Sequence, residues 1–376
     1  MKIKNILCFV LFLSMFACKR TEQVALLDPI AFDTIIDNKK VALYTLRSGH
    51  GLTMQVTNFG GRVVTLWVPD KNGKSEDVVL GHKTLEEYIH PQGERYLGPV
   101  VGRYANRIAK GRFELDGQSY QLPLNNNGQT LHGGIKGLDM VVWSVDSVSD
   151  DQIVMSYTSP DGSDGFPGNL SIRMTYTLTA QNEFEIEYSA TTDKPTVVNL
   201  SHHGLFNLKG EGNGTILDHI LTINANQITP IDSVLIPFGN LQPVDNTPFD
   251  FRVPTAIGER INTQDAQLKN GAGYDHNWVL TRKTENSVEL VASLYEPVSG
   301  RLMEVYTDQP GLQFYSGNFL DGKVIGKHGK TQNYREAIAL ETQKFPDSPN
   351  HPNFPSTRLN PGETYKQICI YKFSIK

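Results

Sequence analysis

Leu170–Tyr188 reads LSIRMTYTLTAQNEFEIEY. Leu170, Ile172, Met174, Tyr176 and Leu178 alternate with Ser171, Arg173, Thr175 and Thr177. A turn at Ala180-Gln181-Asn182 follows. Phe184, Ile186 and Tyr188 then alternate with Glu183, Glu185 and Glu187. Successive strand residues point to opposite faces, so the stretch predicts an antiparallel hairpin with one apolar and one polar face.

The same period-two signal extends outward. It recurs at Leu52–Thr57, Arg62–Val68, Ile153–Tyr157, Leu217–Ile223, Val288–Leu294, Leu302–Tyr306, Leu312–Tyr315 and Tyr365–Phe373. Turn residues such as Pro69-Asp70-Lys71-Asn72-Gly73 separate these runs. Thr84-Leu85-Glu86-Glu87 has the form of a capping box and predicts a short helix. Long helical periodicity is nearly absent. No dinucleotide fingerprint, phosphate loop or interdomain linker interrupts the body. The expected fold is all-β: one large antiparallel β-sandwich with few short helices.

The chain has 376 residues, 39% hydrophobic, with 33 Gly and 20 Pro, which suits one large turn-rich domain. Its formal net charge is -5 and its basic residues are dispersed, which argues against a nucleic-acid partner. Lys2 and Lys4 precede the apolar run Ile6–Phe16, about 11 residues against the about 20 a membrane span needs. The run ends in Met15-Phe16-Ala17-Cys18, which is similar to a bacterial lipobox. The expected organisation is a signal peptide over 1–18 with Cys18 lipidated, a plain secretory signal being the alternative, then a tether over 19–36 and a folded domain over 37–376. The expected location is extracytoplasmic, in the periplasm or membrane-anchored through that lipid. Cys369 alone remains in the body, in an apolar strand, and reads as a core residue. No Cys/His spacing suits a zinc site, so no metal is expected.

Ala337–Thr357 reads AIALETQKFPDSPNHPNFPST. Glu341 follows an apolar run and so is expected at the mouth of a buried strand. Pro346, Pro349, Pro352 and Pro355 then force an irregular loop. Burial there raises a carboxylate's pKa and makes it a better base; a solvated rim glutamate is the plainer alternative.

Other polar clusters break the strand pattern. Gly102–Ile108 holds Arg103, Asn106 and Arg107; Leu131–Gly134 holds His132 before two glycines. Val197–Leu208 holds Asn199, Ser201, His202 and His203. Adjacent strand residues face opposite ways, so only one of the two histidines enters a given site. Gly273–Trp278 holds Asp275, and Pro310–Asn318 holds Gln313. Singly, each fits an ion-paired arginine, a structural histidine or a satisfied buried amide. Together they supply donors, a proton-transfer histidine and carboxylates, an inventory suited to neutral, hydroxyl-rich ligands.

Nine segments in order carry a family resemblance: GRYANRIAKG (102–111), LHGG (131–134), SPDGSDGFPG (159–168), VVNLSHHGLFNL (197–208), TPFDFR (247–252), GYDHNW (273–278), PGLQFYSGNFLDG (310–322), LETQKFPDSPN (340–350) and LNPGETY (359–365). From about Ala42 to Phe373 the chain resembles the aldose 1-epimerase family, the galactose mutarotases. The resemblance implies a β-supersandwich that interconverts the α and β anomers of free aldohexoses such as glucose and galactose, without a cofactor. It implies Glu341 as catalytic base and His203 as general acid. It implies substrate contacts at Asn106, Arg107, His132, Asp275, Gln313 and the Gly204-Leu205 pair. Many members carry Asn where His202 stands and Ser-Tyr where Gly204-Leu205 stands, so a tyrosine contact is lost here and sugar preference stays open. The proline-rich loop after Glu341 is expected as a rigid wall of the sugar site. His203 is expected near a carboxylate, with Asp275 the candidate. A monomer is expected, with a monosaccharide as its small-molecule partner. Three alternatives stand: a non-catalytic carbohydrate-binding protein, an epimerase for a modified or oligomeric sugar, and a glycoside hydrolase or lyase. Hydrolysis needs two carboxylates, for which only Glu341 and Asp275 are at hand.

Overall fold

The computed structural model describes residues 24–376. The signal segment, Cys18 and the first part of the expected tether lie outside the described residues.

One layer is a nine-stranded sheet. Across it run Ser144–Val148, Gln152–Ser159, Leu170–Leu178, Glu183–Thr192, Tyr365–Ile375, Arg301–Thr307, Glu289–Tyr295, Ile220–Ile223 and Thr255–Ala256. The Leu170–Tyr188 hairpin lies within it, Met174 opposite Tyr188 and Tyr176 opposite Ile186. Facing it are a four-stranded sheet (Leu43–Arg47, Thr53–Thr57, Arg62–Pro69, Ser75–Asp77) and a five-stranded one. The latter runs Gln242–Pro243, Ala225–Thr229, Asp275–Leu280, Gly311–Tyr315 and Ala339–Gln343. Ile172, Met174 and Tyr176 share one core with Met54 and Leu66 of the four-stranded sheet and with Trp278, Phe314 and Leu340 of the five-stranded sheet. Each such side chain contributes about 1.5–3 kcal/mol by burial, which holds the layers face to face. The expected antiparallel β-sandwich is what the chain forms.

Helices are few and short. Leu85–Ile89 follows the capping box, where the Glu87 carboxylate accepts the Thr84 backbone N–H at 2.9 Å. Ile257–Arg260 and Ala266–Asn270 are the other α-helices among the described residues. Cys369 is buried in the main core, as expected.

Two boundaries differ from expectation. The packed body begins before residue 37: Leu27 and Phe32 are buried, and Leu27 N–H donates to Gln55 Oε1 at 2.9 Å. Thr34–Ile36 pairs with Lys39–Val41. The apolar residues around Pro29, Val24-Ala25-Leu26-Leu27 and Ile30-Ala31-Phe32, run together without alternation, so no period shows in sequence. Glu341, in turn, sits in the middle of the Ala339–Gln343 strand rather than at its mouth. The strand continues through polar residues because one of its faces is turned away from the apolar core.

Candidate active site

Three neighbouring strands of the five-stranded sheet build the floor. Asn277 lies opposite Gln313, and Gln313 opposite Glu341; one step along, Asp275 lies opposite Tyr315. The intervening residues Trp278, Leu312, Phe314 and Leu340 belong to the apolar core. Strand alternation therefore sends Asp275, Gln313 and Glu341 to the opposite face. Gln313 Nε2 donates to Asp275 Oδ1 at 2.7 Å and fixes that carboxylate.

The second wall comes from the Ser201–His202 strand, paired with Val100–Val101. His202 turns into the core against Phe184, at 5.4 Å between ring centroids. His203 therefore turns the other way. Its backbone is pinned on both sides: N–H to Pro99 O at 2.9 Å, and O from Gly98 N–H at 3.0 Å. Its Nε2 lies 3.6 Å from Glu341 Oε1, with both side chains buried. The carboxylate beside His203 is thus Glu341 and not Asp275, because alternation in the adjacent strand places Glu341 directly across.

Asn106, Arg107 and His132 close the third side. Arg107–Ile108 pairs with Thr130–Leu131. Asn106 N–H donates to His132 Nδ1 at 3.1 Å, and His132 N–H to Asn106 O at 2.9 Å. The His132 ring lies 5.1 Å from that of His203. Gly133 has φ +88°, and a Cβ there would sit 1.9 Å from Gly102 O, so only glycine fits. The proline-rich loop lies behind this side rather than lining the pocket. Asp347 N–H donates to Arg107 O and Asp347 Oδ1 accepts from Ala109 N–H, so the loop buttresses the Asn106-Arg107 segment. Arg103 is structural: its guanidinium donates to Ser159 and to the Pro160 and Pro167 carbonyls.

The pocket between these walls has a volume of about 400 Å³. Asn106, Arg107, His132, His203, Asp275 and Glu341 all line it, while Gln313 lies beneath Asp275. Gly204 and Leu205 are not brought to it. Leu205 is fully buried in an apolar cluster with Val64, Leu80 and Leu97. The sequence reading missed Glu94, Tyr96, Asn126, Leu235, Tyr315 and Phe319, which also line the pocket. Tyr315 and Phe319 lie inside the PGLQFYSGNFLDG segment, where aromatic strand residues read as core. Their rings stack at 5.8 Å and Phe319 stays exposed at the rim.

The electrostatics follow from burial. Desolvation, then the charge of Asp275, pushes the Glu341 carboxyl well above the usual range; the Arg107 guanidinium opposes this. Burial raises Asp275, with Arg107 and the Gln313 hydrogen bond pulling it back. Burial pushes the His203 imidazole down to about 4 and holds His132 well below its ordinary value. Four buried site atoms have no partner within the protein: Glu341 Oε2, His203 Nδ1, Arg107 Nε and Gln313 Oε1. Buried polar atoms are normally hydrogen-bonded, so this set fits a polar ligand between them.

His132, His203 and Glu341 also bring potential metal-ligand atoms within 4.8 Å of one another. His132 Nδ1 accepts a backbone N–H, so in the neutral ring the proton sits on Nε2. That atom then donates a hydrogen bond and has no lone pair for a cation.

Residues 42–372 match the family model described as aldose 1-epimerase. The chain belongs to the aldose 1-epimerase family. It is 43% identical to the galactose mutarotase of Rattus norvegicus over 335 residues, 89% of this chain and 94% of that one. It is 37% identical to the aldose 1-epimerase of Escherichia coli (strain K12) over 341 residues, 90% and 96% of the two chains. Among solved structures, an aldose epimerase homologue from C. elegans superposes with TM-score 0.80 at 31% identity, covering 89% of this chain and 99% of that one. The galactose 1-epimerase of Lactobacillus acidophilus gives TM-score 0.78 at 29% identity, over 91% and 97%. Like the family, this epimerase is an isomerase that interconverts the anomers of aldoses.

Proposed function

We propose that Glu341 and His203 carry the proton transfers of this epimerase, acting on free aldohexoses such as galactose and glucose. The observation that carries the reading is the buried pair itself, Nε2 and Oε1 3.6 Å apart at the floor of one pocket. The two oxygens of a hemiacetal are bonded to one carbon, so base and acid must stand side by side. At 3.6 Å they are near neighbours without being hydrogen-bonded to each other.

Ring opening takes the proton from the anomeric hydroxyl to Glu341. The freed electron pair forms the carbonyl, the bond from C1 to the ring oxygen breaks, and that oxygen takes a proton from His203. The C1–C2 bond rotates. On reclosure the former ring oxygen attacks the other carbonyl face and returns its proton to His203, while Glu341 returns its proton to O1. The pair holds one proton in total before and after, passing between carboxylate–imidazolium and carboxylic acid–imidazole. Burial raises Glu341 and lowers His203, which favours the second form in the free pocket; hydrogen bonds from sugar hydroxyls to the carboxylate offset that desolvation and favour the first. Each positioned acid or base contributes about 10²–10⁴-fold.

Arg107, Asn106, His132 and Asp275 orient the hydroxyls, and Gln313 acts through Asp275. The absence of a tyrosine at Leu205 leaves this recognition to those groups. The test is polarimetry: the protein speeds the decay of optical rotation of fresh α-D-galactose, and unchanged decay with folded protein would refute the assignment.

The lipobox-like Cys18 supports a periplasmic or membrane-anchored lipoprotein, and we propose that the protein acts as a monomer. Mass spectrometry of the native N-terminus tests the anchor, and light scattering the monomer.

A further inference from the structure

A second cluster of ligand-forming side chains lies apart from the sugar pocket. Asp77 ends the Ser75–Asp77 strand, Glu211 follows in a loop, and Lys327 and His328 sit in a turn closed by Gly326 N–H to Lys330 O at 2.7 Å. None of the four lines the pocket. One oxygen of each carboxylate is anchored by backbone. Asp77 Oδ1 accepts the Leu66 N–H at 2.9 Å, and Glu211 Oε1 accepts the Gly81 N–H at 3.0 Å. The other two oxygens, Asp77 Oδ2 and Glu211 Oε2, turn towards His328 Nε2, at 3.1 Å and 3.8 Å. Oδ2, Oε2 and Nε2 lie within 4.8 Å of one another. Lys327 satisfies one of these oxygens only. Its ammonium donates to Val64 O and Val79 O and lies 2.9 Å from Asp77 Oδ2, which uses all three of its protons. Glu211 Oε2 is 4.0 Å from that ammonium and has no hydrogen-bond partner, although its side chain is 1% exposed. A carboxylate oxygen this buried is normally satisfied. The His328 side chain is 28% exposed, so the cluster opens to solvent on that side.

We propose that Asp77 Oδ2, Glu211 Oε2 and His328 Nε2 form a binding site for a divalent ion of the zinc type. Two carboxylate oxygens and an imidazole nitrogen are a set that zinc accepts, with water in the fourth position on the exposed side; the imidazole disfavours magnesium and calcium. The backbone N–H groups on the far oxygens hold both carboxylates in place, as outer partners do around metals. The ion needs the lone pair of His328 Nε2, so a proton there moves to Nδ1 or to solvent. Lys327 stays where it is. Its charge lowers the affinity, while its donors remain turned to Val64, Val79 and Asp77. The bound ion ties the turn around Lys327 and His328 to the four-stranded sheet through Asp77 and to the Glu211 loop.

The test titrates zinc chloride into chelator-treated, desalted protein at about pH 7.5, where a free histidine is neutral. Calorimetry and thermal unfolding are read for the wild type, His328→Ala and Glu211→Gln. His328 is partly exposed, so its variant is expected to fold, and wild-type mutarotation checks that it has. The wild type is expected to bind one zinc ion per chain, with Tm raised by about 5 °C at about 100 times the dissociation constant. Loss of an outer partner alone costs a metal site about 10–100-fold, so loss of a ligand in either variant should weaken zinc by at least about 100-fold. Magnesium at the same concentration should leave Tm unchanged. No zinc binding by the wild type overturns the proposal, and so does binding that either variant keeps, since a lone histidine or another site would then hold the ion. Zinc that inhibits mutarotation in step with its binding would place it at His132, His203 and Glu341 and would overturn the proposal too.

Discussion

His203 Nε2 lies 3.6 Å from Glu341 Oε1, and the two residues reach that position from unrelated parts of the fold. Glu341 stands in the middle of a sheet strand. His203 follows a two-residue strand fixed by Pro99 and Gly98. The separation is therefore set by how two backbones pack, and it is fixed before any sugar enters.

The shifts of this pair predict its pH profile. The working state holds one proton. A second proton must go to the imidazole, which burial holds down to about 4. Losing the only proton must overcome the raised Glu341 carboxyl. The acid limb of kcat/KM is therefore expected near pH 4 rather than near the 6.5 of a free histidine, with activity at about pH 5 within two-fold of that at about pH 7. An acid limb close to about 6.5 would contradict it.

Gln313→Ala leaves the Asp275 carboxylate without its 2.7 Å donor. A hydrogen bond to a charged group is worth about 1.5–3 kcal/mol. The expected outcome in steady-state kinetics is a KM raised about ten-fold or more, with kcat changed only a few-fold, because Asp275 orients the sugar and takes no proton in the reaction.

His202 faces the core, and both its ring nitrogens lack partners. Burial first, and His203 second, push it down to about 3. An unfolded histidine titrates near about 6.5, so below that pH the unfolded chain binds a proton that the folded chain refuses. Its contribution to stability therefore falls as pH drops from about 6.5 to about 3, by about 1.4 kcal/mol per unit. His202→Leu removes this loss. Urea unfolding at about pH 5 should show the variant gaining about 2 kcal/mol on the wild type relative to about pH 7.5.

Gly133→Ala places a methyl group 1.9 Å from Gly102 O at φ +88°. The Gly102 and His132 segments must separate, at a cost on the order of several kcal/mol. Thermal unfolding should register a lower Tm, and KM should rise because His132 shifts with the turn.

Much of the fold was legible in sequence for a definite reason. The Leu170–Tyr188 hairpin buries one face, so period-two alternation survives in its residues. Glu341, Asp275 and Gln313 were visible as polar breaks in apolar strands. Their convergence was not, because it depends on the register of Asp275–Leu280, Gly311–Tyr315 and Ala339–Gln343, which no single segment encodes. Leu205 was expected at the sugar, yet its position in the chain turns it into an apolar cluster. Glu94 carried no signal at all: it lies in an irregular stretch, Pro91–Arg95, with no periodic pattern around it.

The most direct measurement is a double-mutant cycle on the mutarotation of fresh α-D-galactose with Glu341→Gln, His203→Ala and the two combined. Two groups that pass one proton between them act as a unit, so each single variant should lose about 10²–10⁴-fold in kcat and the double variant little more. Single losses below about ten-fold, or losses that multiply in the double variant, would contradict the account.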